Sequence, residues 1–217
     1  MSSVRFQIYL ITDGKTYPEA RLEQALWAVP GGSVAVQLRN RALQGAELLR
    51  LALRLRSITS LFSAPLFVND RLDVALSSGA DGVHLPRHGL SPQAVRKLVA
   101  NRLLISAAAH SLDEARALSQ SGADCLTFGP IWPTPSKPDD PSIPVAERVS
   151  PVGTEVLFTV TRALSIPVYA LGGIDSSERA AECAAAGSRV ACLRAILGDA
   201  DPAAAIRAFL EAVTKAA

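Results

Sequence analysis

No apolar stretch among these 217 residues approaches the roughly 18 that a membrane-spanning helix needs. Charge of one sign is also lacking. The formal net charge of +2 is too small to mark a nucleic-acid or membrane-binding surface. Cysteine is scarce, and Cys125, Cys183 and Cys192 have no metal-ligand spacing. Cys125 and Cys192 lie in apolar runs, which reads as reduced, packed thiols of a cytoplasmic protein. Met1 to Arg5 run straight into an apolar segment, so no secretory signal is expected. The first strand-like run has no GxGxxG loop after it, which argues against a doubly wound nucleotide-binding sheet.

What is present is alternation. Short runs of branched apolar residues fall at 6–12, 33–38, 65–68, 82–85, 103–107, 125–128, 167–171 and 190–193. Between them, Ala/Leu/Arg-rich segments predict helices near 21–28, 43–61, 71–78, 91–100, 111–121, 154–164, 176–186 and 201–215. Ser91-Pro92 and Ser111-Leu112-Asp113-Glu114 are helix starts. A junction also recurs: Ser78-Gly79-Ala80-Asp81 leads into GVHL, Ser121-Gly122-Ala123-Asp124 into CLTF, and Ala186-Gly187-Ser188-Arg189 into VACL. A glycine that ends each helix before a buried strand implies a repeated unit. With a hydrophobic content of 49%, the reading is one α/β domain over 1–217, a (β/α)8 barrel.

In such barrels the chemistry gathers where strands run into helices. Those ends carry Gln37, Arg39 and Arg41, then Asn69 and Asp70, then Thr134, Ser136 and Lys137, then Gly172 and Gly173. Arg39 and Arg41 share a face if the strand continues, and two guanidinium forks suit a pyrophosphate; solvated loop charges are the alternative. Lys137 adds a cation beside two hydroxyls. Gly172-Gly173 lets a phosphate approach the backbone, or is a simple tight turn. Asp70 is either a magnesium ligand or a helix cap. His84 reads as a core histidine, His88 as exposed, and His110 as a candidate ligand contact. Arg194, at the end of the last strand, lies beside the glycine turn. The irregular stretch 132–153 reads as a lid. Small phosphorylated molecules are the expected partners, an oligomer is left open, and no nucleic acid or membrane is implied.

YLITD (9–13), Gln37–Arg41, FVND (67–70), ADGVHL (80–85), AHS (109–111), GPIWPTPSK (129–137) and ALGGI (170–174) together resemble the thiamine phosphate synthases and their relatives, the thiazole tautomerases. The resemblance covers nearly the whole chain. It implies a (β/α)8 barrel that joins a hydroxymethylpyrimidine diphosphate to a hydroxyethylthiazole phosphate, releasing pyrophosphate with Mg2+. By motif position, Gln37, Arg39, Arg41, Asn69 and Lys137 hold the pyrimidine diphosphate, with Arg39 and Lys137 catalytic. Thr134, Ser136 and Gly173 face the thiazole phosphate. The chain departs from the pattern at Gly89, where the family carries a second magnesium carboxylate, and at Ala108 and Arg194, where it carries serines. A weak magnesium site is therefore expected. Arg194 either clamps a phosphate or blocks its pocket. Pro130 stands where the tautomerase branch has a histidine. A tautomerase-like isomerase and a catalytically silent phosphate-binding relative are the alternatives to synthase activity.

Overall fold

The computed structural model describes residues 4–134 and 150–216. Eight parallel strands close on themselves: β1 (Ile8–Thr12), β2 (Val34–Leu38), β3 (Leu66–Asn69), β4 (Gly82–Leu85), β5 (Leu104–Ala109), β6 (Cys125–Phe128), β7 (Val168–Leu171) and β8 (Arg189–Cys192). Neighbours in sequence are neighbours in the sheet, and β8 returns to β1 through Ile8 opposite Val190. The intervening helices are α1 (Glu19–Trp27), α2 (Gly45–Leu61), α3 (Leu72–Ser77), α4 (Pro92–Val99), α5 (Leu112–Gln120), α6 (Gly153–Ala163), α7 (Ser177–Ala185), α8 (Arg194–Leu197) and α9 (Pro202–Lys215). The short α8, which the sequence did not announce, begins at Arg194. That residue therefore opens a helix rather than ending a strand.

Helix starts follow their side chains. Ser91 accepts from Ala94 N at 3.2 Å, Ser111 from Glu114 N at 3.2 Å, and Asp201 from Ala203 N and Ala204 N at 3.0 Å each. Each helix buries one stripe against the barrel wall, as α2 does with Leu48, Leu51, Ala52, Leu55 and Ile58. The strands are apolar on consecutive residues because both of their faces are covered.

The recurrent junctions do more than turn the chain. Gly79, Gly122 and Gly187 all take the left-handed conformation (φ 65°, 97° and 78°). The aspartates that follow then act as staples. Asp124 Oδ2 accepts from Ile105 N at 2.7 Å and from Arg96 at 2.6 Å. Asp81 does the same with Leu66 N at 2.8 Å and with Arg56. Each carboxylate ties the start of one strand to its neighbour and to a helix. In the third copy Arg189 replaces the acid and donates instead to the carbonyls of Val4 and Phe6, at 2.9 Å each.

Inside the barrel, the amino-terminal half is plugged by aromatics. Phe6 stacks on Tyr169 at 4.9 Å, and Tyr9 meets Phe67 edge-on at 5.1 Å. Gly82 makes room for this plug, since a Cβ there would lie 2.3 Å from the Phe67 ring. Strand alternation carries the inward face from Ala35 to Gln37, from Phe67 to Asn69, from Gly82 to His84 and from Leu104 to Ser106. A polar layer thus sits on an apolar floor, on the carboxyl side.

Candidate active site at the carboxyl ends of the strands

The polar layer is a connected series. Buried Gln37 donates through Nε2 to Asn69 Oδ1 at 3.3 Å. Asn69 is in register with His84, and His84 Nδ1 lies 3.0 Å from Ser106 Oγ. His84 is buried, as its sequence position predicts. Burial first, and the charge of Arg39 second, lower its pKa to about 3. The imidazole is therefore neutral at pH 7, and the positive charge of Arg39 adds to the bias against its protonation. Ser106 was not among the predicted residues. The signal was there in principle, two residues along the inward face from Leu104.

The strand continuation on which a shared face of Arg39 and Arg41 depends is absent. The β2 strand ends at Leu38, and Arg39 extends its pairing by one bond, N–H to Thr12 O at 2.8 Å. Asn40 then turns the chain: its Oδ1 accepts from Ala42 N and Leu43 N at 3.0 Å, and its amide donates to Asp13 O at 2.8 Å. Arg41 is left exposed.

Asp70 follows β3 with a φ of 65°, and its N–H donates to His84 O at 2.8 Å. It caps no helix, because the N-cap of α3 is Arg71. A Cβ at Gly89 would lie 3.0 Å from Asp70 Oδ1, so that glycine stands where a second carboxylate would face the first. Asp13 does not substitute for it. Burial disfavours its charge, but hydrogen bonds from the Thr16 hydroxyl and the Lys15 and Thr16 amides outweigh this, so its pKa falls and its oxygens serve their own loop. Among the described residues no group of three His, Cys, Asp or Glu side chains could enclose a metal. The donor set fits a magnesium ion only when a ligand's own oxygens complete its shell.

His110 is half-buried at the end of β5. Its N–H donates to Glu114 Oε2 at 2.8 Å, Nδ1 meets the Gly129 carbonyl, and Glu114 also binds Arg87 at 2.8 Å. His110 thus fastens the fifth loop to the sixth, while His88 is exposed as expected.

The glycine turn is required by its packing whatever it binds. Gly172 and Gly173 are both left-handed (φ 100° and 71°). A Cβ on Gly172 would lie 2.7 Å from Pro130 Cβ, and one on Gly173 would lie 2.6 Å from Trp132 Cβ. The loop after β6 lies flat against the turn, with Ile131 N donating to Leu171 O and Trp132 N to Gly172 O at 3.0 Å each. The glycines are demanded first by that protein backbone. Thr134 ends the described part of this loop, half-buried; Ser136 and Lys137 lie outside the described residues. Arg194 is exposed at the start of α8.

Two clefts, of about 280 and 460 Å³, open at the other end of the barrel, around Gly187 and Arg189. The Arg189 guanidinium is already committed to backbone carbonyls and the Tyr169 hydroxyl, so the chemistry is placed at the carboxyl mouth instead.

Fold and site together define an α/β barrel with a layer of polar side chains at the carboxyl ends of its strands. A family model described as thiamine monophosphate synthase matches residues 8–196. A thiamine-phosphate synthase of Moorella thermoacetica is 38% identical over 195 residues, covering 90% of this chain and 89% of its own. Another, from Chlorobium phaeovibrioides, is 37% identical over 208 residues, covering 95% and 93%. The solved structure of a thiamine phosphate pyrophosphorylase from Pyrococcus furiosus superposes with a TM-score of 0.84 at 31% identity, covering 98% of both chains. The chain belongs to the thiamine monophosphate synthase family.

Proposed function

We propose that this protein is the transferase of thiamine biosynthesis that joins hydroxymethylpyrimidine diphosphate to hydroxyethylthiazole phosphate. The observation that carries the reading is the buried Gln37–Asn69 pair beside a neutral His84, with Arg39 directly after β2, in a member of this family. In the reaction the bond from the pyrimidine methylene carbon to the diphosphate oxygen breaks, and its electron pair leaves with pyrophosphate. The thiazole nitrogen lone pair then forms the new C–N bond. The protein needs no nucleophile of its own; it stabilises the charge that grows on the leaving group. Arg39 supplies a cation at the end of β2, and the paired amides of Gln37 and Asn69 offer oriented N–H groups at the ends of β2 and β3. On sequence grounds Lys137 is the second cation. Asp70 would hold a magnesium ion in common with the diphosphate, and the ion would neutralise part of the leaving group's charge.

The rim formed by Thr134 and the Gly173 turn is assigned to the thiazole phosphate. No observation favours a tautomerase, since Pro130 occupies that branch's histidine position and is packed against Gly172. A cytoplasmic setting accords with three buried, unpaired thiols, and among the described residues no helix is long and apolar enough to cross a membrane. The test is pyrophosphate release with both substrates and magnesium. Release should require both and should fall roughly ten- to a hundredfold in Arg39→Ala at subsaturating diphosphate, the value of one charge-assisted contact. Absence of release from the intact protein, or release that ignores the thiazole, overturns the assignment.

A further inference from the structure

Arg179 lies in the first turn of α7, outside the barrel, yet it touches both loops of the thiazole-side rim. Its Nη1 donates to Gly173 O at 2.6 Å and to Asp175 Oδ2 at 2.9 Å. Its guanidinium carbon sits 5.1 Å from the centroid of the Trp132 ring. The side chain is half-buried, with 35% exposure, so these contacts are partly shielded from water. One planar group therefore ends the β7 turn with a hydrogen bond and covers the β6 loop with a cation–π contact.

The consequence follows from peptide geometry. In a trans peptide the C=O and the next N–H point in opposite directions. A donor on the α7 side that holds the Gly173 carbonyl outward turns the Ile174 N–H the other way. A carbonyl free to rotate toward an anion would repel it. The backbone here has little intrinsic resistance to such a flip, because two consecutive left-handed glycines form the turn. The stacked Trp132 lies two residues before Thr134, on the same loop.

We propose that Arg179 is a positioning residue that clasps the Gly172-Gly173 turn to Trp132 and so presets the rim for the phosphate of the thiazole substrate. This rests on the synthase reading above for its substrate, but the clasp itself is independent of it.

Two measurements on the full-length protein separate the claims. In a Trp27→Phe background Trp132 is the remaining tryptophan, Trp27 being 79% exposed as the last residue of α1. Without substrate, Arg179→Ala should shift Trp132 emission to the red and raise its quenching by acrylamide, and Arg179→Lys should restore it in part. Unchanged emission and quenching in Arg179→Ala overturn the clasp, whatever the enzyme does. With both substrates, Arg179→Ala should raise KM for the thiazole phosphate about tenfold while KM for the pyrimidine diphosphate stays within about twofold, with partial rescue in Arg179→Lys. A loss of melting temperature with both KM values unchanged would make the residue merely structural and overturn the proposal. If the unmutated protein shows no turnover, the synthase reading fails, and retention of inorganic phosphate replaces KM as the readout. Equal retention by Arg179→Ala would then overturn it.

Discussion

Replacing His84 by glutamine removes a single titration from the centre of the barrel and leaves a side chain able to hydrogen-bond Ser106. The imidazole titrates near 6.5 when free and near 3 in the fold, because burial, and then Arg39, oppose its charge. Between those values the unfolded chain binds a proton that the folded one refuses. Stability from this group is therefore complete above about pH 6.5 and is lost as the pH falls toward 3. One proton is worth about 1.4 kcal/mol per pH unit, so roughly 2.5 kcal/mol should disappear between about pH 7 and pH 4.5. Urea unfolding of both proteins at a series of pH values isolates the effect, since every other group titrates in common. The glutamine variant should start less stable or equal, yet lose about 2.5 kcal/mol less over that interval. Parallel curves for the two proteins would mean that His84 is not held neutral, and the electrostatic description of the site floor would fall with it.

The other expectations are simpler. Asp124→Ala removes the partner of Ile105 N and Arg96, and should cost about 2–3 kcal/mol, or some 4–12 °C in melting temperature; a shift under about 1 °C would show the staple to be idle. Gly173→Ala places a methyl 2.6 Å from Trp132 on a left-handed residue and should destabilise by about 1–3 kcal/mol, measured by thermal unfolding; a neutral effect would contradict the packing of the two loops. Gly89→Asp sets a second carboxylate beside Asp70, so calorimetry should find magnesium binding to the ligand-free variant roughly tenfold tighter than to the parent; equal affinities would remove Asp70 from the metal assignment.

Much of the barrel was legible because its signals are local. Consecutive buried apolar residues, serine caps and the Gly-Ala-Asp junctions each act within a few positions, and the strands and the longer helices appear within one or two residues of their expected bounds. The missing pieces depend on partners far along the chain. Asp81 and Asp124 read as turn residues until Leu66 and Ile105 are placed beside them. Gly172 and Gly173 are glycines for the sake of Pro130 and Trp132, some forty residues earlier, which no local motif reveals. The continuation of β2 toward Arg41 fails for the opposite reason: the neighbouring Asn40 supplies a side-chain turn that the strand pattern ignores. His84 was correctly expected to be buried, but its link to Ser106 needs the register of β4 against β5.

The most direct measurement is a crystal structure of the protein soaked with inorganic pyrophosphate and magnesium. The expected result is the anion at the carboxyl mouth, within hydrogen-bond distance of Arg39 and of the Gln37–Asn69 pair. Pyrophosphate bound instead in the clefts around Arg189 at the opposite end, with an empty carboxyl mouth, would contradict the assignment of the site.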